Sequence, residues 1–208
     1  MFKVFFLIFD PGATWEKVAQ KKRGIFFILV TYLLPMILLV CAAEGWSLQK
    51  FGKWQPRLDN VKHFTDPEIK AFESLQAAAL LLLVFIAAKL LHVAGNTFHG
   101  RQSYRQVFTV VAYGFSPLLL LRFLDAAPQM NLWVSWAFGI LVVMWILYQG
   151  IPPVLEPDPT HTFGIYLTAI IIIVLTSGVA RAIAWMYLLG NVNNRHSWLI
   201  ESVAKYFQ

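Results

Sequence analysis

From Gly24 to Ala43 the chain runs without a single charged side chain, and four more apolar runs of comparable length follow it. A helix needs about 20 apolar residues to cross the hydrocarbon core of a bilayer. The candidate spans cover about 24–43, 67–95, 105–124, 132–149 and 163–189. Water could not solvate so much apolar surface: 58% of the 208 residues are hydrophobic, only 13% are charged, and mean hydropathy is +0.61. Soluble domains carry about a quarter charged residues. The expectation is an all-α integral membrane bundle of five transmembrane helices, preceded by a short amphipathic N-terminal segment.

Three segments flank or interrupt the spans. Residues 1–23 read as a cytoplasmic lead-in, with Phe2, Phe5, Phe6 and Phe9 at helical spacing, Lys3 opposite, and a turn at Asp10-Pro11-Gly12. That pattern suits a helix lying on the membrane surface. No small-residue cleavage pattern follows the apolar start, so targeting is expected from the first span. Residues 44–70 are too polar for lipid and read as a loop against the headgroups. The tail, 190–208, reads as interfacial. Pro35 predicts a kink in the first span, Gly114 and Pro117 a break in the third, and the four prolines between Gly150 and His161 exclude a helix throughout that stretch.

Net charge is +6. Its densest cluster, Lys21-Lys22-Arg23, abuts the first span and reads as a headgroup anchor, not as a nucleic-acid footprint. It places the N-terminus in the cytoplasm. Cys41 is the one cysteine, which excludes an intramolecular disulfide and paired-cysteine metal sites.

With this topology the polar residues sort into two layers. The cytoplasmic layer receives Lys89, His92, Asn96, His99, Arg101 and Arg105 from the second and third spans, and Glu156, Asp158 and His161 from the fourth connection. Lys89, His92, Asn96 and His99 share one helical face but extend over about 15 Å, too far for one ligand. The outer layer receives Glu44, Arg122, Asp125 and Arg181. Arg122 and Arg181 are expected to snorkel to headgroups beside Trp185 and Tyr187; the alternative is an Arg181–Asp125 ion pair. No charge falls at mid-depth, which argues against a proton-coupled carrier. No nucleophile elbow, phosphate loop or intramembrane carboxylate pair suggests catalysis, no cofactor is implied, and Ser116 is expected to bond a backbone carbonyl at the Pro117 kink.

The run NTFHGRQSYRQVFTVVAYGFSP resembles the turn and following helix of Yip-family membrane proteins, with Phe98, Gly100, Ser103, Tyr113 and Pro117 at the matching places. His99 stands where that family's first glycine is usual. The exit of the fourth span is similar to the family's tyrosine–x–glycine–x–proline segment through Tyr148, Gly150 and Pro152. The opening DPGATWEKVA resembles the lead-in of the prokaryotic branch. The resemblance implies a multi-pass protein of a family linked in eukaryotes to Rab-type GTPases and vesicle trafficking. The soluble segment held responsible for GTPase binding is not matched here, so that link is not carried over.

The expected function is a non-enzymatic component that organises membrane lipids or protein partners through its cytoplasmic turns. Expected partners are lipids, a second copy, or other membrane proteins, with no nucleic acid. Small residues at Ala77–Ala79, Ala87–Ala88 and Gly178–Ala184 favour close helix approach. The alternative is a small-solute or ion permeation protein. A lesser alternative is divalent-metal binding by His92, His99, His161, Asp158 and Glu156, if the two cytoplasmic turns meet.

Overall fold

The computed structural model describes residues 3–55, 59–97, 102–188, 202–203 and 205–207. Among these, five helices are long and apolar enough to cross a membrane: Ile25–Phe51, Asp66–Thr97, Tyr104–Ala126, Leu132–Leu155 and Thr162–Leu188. Two short helices precede them, α1 (Lys3–Phe9) and α2 (Pro11–Lys21). The 190–208 tail falls largely outside the described residues, as do Phe98, His99, Gly100 and Arg101.

The third span is the centre of the bundle. Its most apolar stretch is 67% buried, against 28% for the second and fifth spans. Val107 to Gly114 are all buried, as expected of a helix that is apolar on every side. The second span packs against the first, third and fifth, and the fourth against the third, the fifth and α2. The outward faces carry Phe26, Leu38, Leu82, Phe138, Leu141, Leu175 and Ile183, all exposed. Those faces would meet acyl chains.

The helix breaks follow local chemistry. Ahead of Pro35 the first span loosens into a π-helical turn, Leu29–Leu33, before resuming at Leu34. Proline removes an intrahelical donor, and a wider turn is one way the backbone accommodates that. The third span breaks at Phe115, and Pro117 enters in the first turn of the next helical piece, Ser116–Leu121, where its missing N–H costs nothing. It ends in a 3₁₀ turn, Arg122–Ala126.

Two helices run on past the expected limits of their spans. The first continues from Ala43 to Phe51, because Glu44 and Ser47 are buried against the third span instead of facing lipid. The fourth passes through Pro152 and Pro153 to Leu155. Those prolines free only the carbonyls of Tyr148 and Gln149, in the last two turns of the helix. Residues 156–161 are not helical, so the connection is indeed not helical throughout.

The 44–70 stretch is more ordered than a loop. Gly52, at φ +66°, ends the first helix with its Cα facing the Lys62 carbonyl, so that an added Cβ would come within 2.5 Å. A small antiparallel hairpin follows, β1 (Lys53–Gln55) with β2 (Asn60–Lys62). The N-terminal segment departs further from expectation. One face does point outward through Phe6 and Phe9, but Leu7 and Trp15 are completely buried and α2 docks along the fourth span. The apolar moment of this segment is spent on the bundle as well as on lipid.

Candidate functional site

The structure has two polar ends. At one end stand α2, the turn leading into Tyr104 and the turn after Leu155; at the other stand the hairpin and the 122–131 connection.

At the first end, Ser103 caps the third span. Its hydroxyl accepts from the Gln106 backbone N–H, while the Gln106 side chain accepts from the Ser103 N–H at 2.9 Å, a reciprocal capping box. The Gln106 amide then donates to the Val154 carbonyl at 3.1 Å, tying the third span to the end of the fourth. This holds Arg105 beside a cleft of about 260 Å³ that is also lined by Lys22, Arg23, Thr109, Pro153 and Glu156. Arg23 lies over the Phe27 ring at 4.6 Å, a cation–π contact. Lys22 and Glu156, both in the cleft lining, take left-handed backbone conformations, at φ 39° and 46°. Such a conformation costs a non-glycine residue about 1–2 kcal/mol. Here it ends α2 and the fourth span where their side chains can face the cleft.

Beneath this cleft lies an aromatic plug. The Trp15 indole N–H donates to the Ile146 carbonyl at 3.0 Å. Its ring lies against Gly150, where an added Cβ would fall 2.3 Å from Trp15 Cε2. Trp15 meets Tyr113 edge-on at 6.1 Å, Tyr113 meets Tyr32 at 4.5 Å, and the Tyr32 hydroxyl bonds Ser116. Ser116 also donates to the Ala112 carbonyl at 3.5 Å, as expected of it, but its main partner is Tyr32. Gly150, Tyr113 and the DPGATW opening therefore belong to one packing unit. Tyr148 points away, exposed and edge-on to Tyr166.

The nine residues expected at this end are not one site. Arg105 and Glu156 line the cleft. Lys89 and Asn96 are exposed on the second span, and His92 is half-buried edge-on to Tyr104 at 5.8 Å. Asp158 and His161 shape the turn into the fifth span, the His161 N–H donating to the Asp158 carbonyl at 2.9 Å. His99 and Arg101 lie outside the described residues. Among the described residues no three His, Cys, Asp or Glu side chains converge as metal ligands.

The second end reverses one expectation. Arg122 and Arg181 do not snorkel: they are 7% and 4% exposed. Arg181 holds Asp125 through both terminal nitrogens, Nη2 to Oδ1 at 2.8 Å, and donates from Nε to the Leu132 carbonyl at 2.8 Å. Ser135 Oγ donates to the same carboxylate at 2.5 Å. Arg122 Nε donates to Glu44 Oε2 at 3.2 Å. Lys53 Nζ donates to the Asp125 carbonyl at 2.9 Å, and burial pushes this ammonium below its usual range, against the opposing pull of Asp125 and Glu44. Each guanidinium finds its carboxylate inside the protein, so neither needs the headgroups.

Sequence reasoning missed Lys22 and Arg23 as cleft residues, having assigned them to lipid anchoring alone. It also missed Glu73, Gln76 and Ser135. A faint signal existed: Glu73 and Gln76 are polar at a three-residue spacing within a long apolar helix. The Yip1 domain family matches the chain over residues 5–181. No curated protein and no solved structure matches it.

Proposed function

The chain belongs to the Yip1 domain family of multi-pass membrane proteins, and from that premise we propose that it is a non-enzymatic membrane organiser. It works by gathering anionic lipid headgroups, or a partner's acidic surface, at the cleft formed by Lys22, Arg23 and Arg105. The observation that carries this reading is the convergence of those three cations from α2, the start of the first span and the third span on one cleft. On this reading the cleft faces the cytoplasm of a bacterial inner membrane. Each cation near an anionic surface contributes about 1 kcal/mol of attraction. Glu156 also lines the cleft and limits its net charge, which favours a headgroup that also carries hydrogen-bond donors.

The test is retention of phosphatidylglycerol against phosphatidylcholine by the purified chain in native mass spectrometry. The double substitution Lys22→Gln with Arg105→Gln is expected to lower phosphatidylglycerol retention about tenfold or more. Unchanged retention overturns the reading. The permeation alternative is tested in reconstituted liposomes: solute-selective flux that is abolished by changing His92 or Asn96 would replace the organiser by a pore.

A further inference from the structure

The end of the bundle away from that cleft holds a second polar cluster whose hydrogen bonding does not close. Gln76, on the second span, is 8% exposed and donates through Nε2 to Glu44 Oε2 at 2.7 Å and to Glu73 Oε2 at 3.3 Å. Three acceptor oxygens in this knot, Glu44 Oε1, Glu73 Oε1 and Gln76 Oε1, have no donor, against one unused donor, Arg122 Nη2. Buried polar atoms are normally paired, because leaving one unpaired costs the full desolvation penalty. Arg122 is bonded to Glu44, and Arg181 and Lys53 are bonded around Asp125, so none of these three cations is bonded to Glu73. Glu73 has the Cys41 thiol as a further hydrogen-bond partner, and the cluster as a whole carries more acceptors than N–H donors.

Glu73 also forms part of the wall of a groove of about 510 Å³ between the first and second spans. The groove has a gradient along its length. Leu38, Ala42 and Ala77 line the part that lies deeper along the two spans, and Gln49, Asp66 and Lys70 line the mouth, beside the exposed Trp46. Tryptophan at such a position marks the headgroup level. Lys70 stands three residues before Glu73, so the two opposite charges lie about 5–6 Å apart at Cβ on one helical face.

We propose that this groove is a binding site for an aminophospholipid. Its primary ammonium bonds the Glu73 carboxylate, the member of the acceptor-rich cluster that lines the groove. Its phosphate meets Lys70, and an acyl chain lies along Leu38, Ala42 and Ala77. A quaternary ammonium has no N–H to give, so phosphatidylcholine fits the groove in shape but leaves Glu73 Oε1 unpaired. An anionic lipid without an amine is repelled by Glu73. This site is independent of the basic cleft at the other end, in its residues and in the lipid it selects.

The experiment is native mass spectrometry of the full chain in detergent with equimolar phosphatidylethanolamine, phosphatidylcholine and phosphatidylglycerol. The wild type is expected to retain phosphatidylethanolamine over phosphatidylcholine by about tenfold, the worth of one charge-assisted hydrogen bond. Glu73→Gln is expected to bring the two to parity, while phosphatidylglycerol retention does not fall. Ala42→Trp fills the groove from its exposed wall without touching a charge and is expected to have the same effect, so the proposal does not depend on Glu73→Gln folding. Equal retention of the two zwitterionic lipids by the wild type overturns the site. So does a preference that survives both substitutions. Displacement of the lipid by equimolar O-phosphoethanolamine overturns the lipid assignment, because it would make the soluble headgroup the ligand.

Discussion

Gly150 shows how much one missing side chain can decide. The Trp15 ring occupies the space a Cβ would need, and the indole N–H reaches a carbonyl one turn earlier on the same helix. Gly150→Ala is therefore expected to destabilise the protein by about 1–3 kcal/mol through overpacking. Thermal unfolding in detergent checks this, and Trp15→Leu in the same chain should recover part of the loss. At the opposite end, Arg181→Met leaves the buried Asp125 carboxylate with the Ser135 hydroxyl as its hydrogen-bond donor, and its bidentate partner gone. Breaking a buried pair from one side costs about 3–5 kcal/mol. The double variant Arg181→Met with Asp125→Leu should unfold at a higher temperature than Arg181→Met alone. If both variants melted with the wild type, the pair would carry no structural weight.

At the first end a cap adds to the apolar packing. The Ser103–Gln106 box starts the third span and, through the bond from Gln106 to Val154, sets its spacing from the fourth. Ser103→Ala is expected to cost about 1 kcal/mol, concentrated at the start of that span. Hydrogen exchange should speed up over the first turns after Tyr104 and stay unchanged in the first and fifth spans. The box itself is local, a serine followed three residues later by glutamine; its second task is not, because Val154 is 48 residues from Gln106.

Across the whole molecule, the two polar ends lie at opposite ends of the same bundle, so sidedness can be read with few probes. The described chain offers Val61 in the hairpin and Asp158 in the last turn, both exposed, while the native Cys41 is buried. With the N-terminus in the cytoplasm, a cysteine at Val61 is expected to react with an impermeant reagent from outside, and one at Asp158 only after the membrane is opened. The opposite pattern would invert the chain and move the basic cleft to the outer face.

The five spans, the kink-forming prolines and the sorting of polar residues between two ends were determined by the sequence alone. Each follows from local rules: the length of an apolar run, the missing N–H of proline, the cost of charge at mid-depth. The sequence also held the family pattern, without the reason for it. Only the tertiary structure decided that Gly150 exists for Trp15, that Lys22, Arg23 and Arg105 face one cleft, and that Arg122 and Arg181 turn inward. Those arrangements depend on which helices are neighbours and on how each is rotated about its axis. Snorkelling and internal pairing are equally open to an arginine near a span end. The choice between them is made by a carboxylate 56 residues away, arriving at bonding distance.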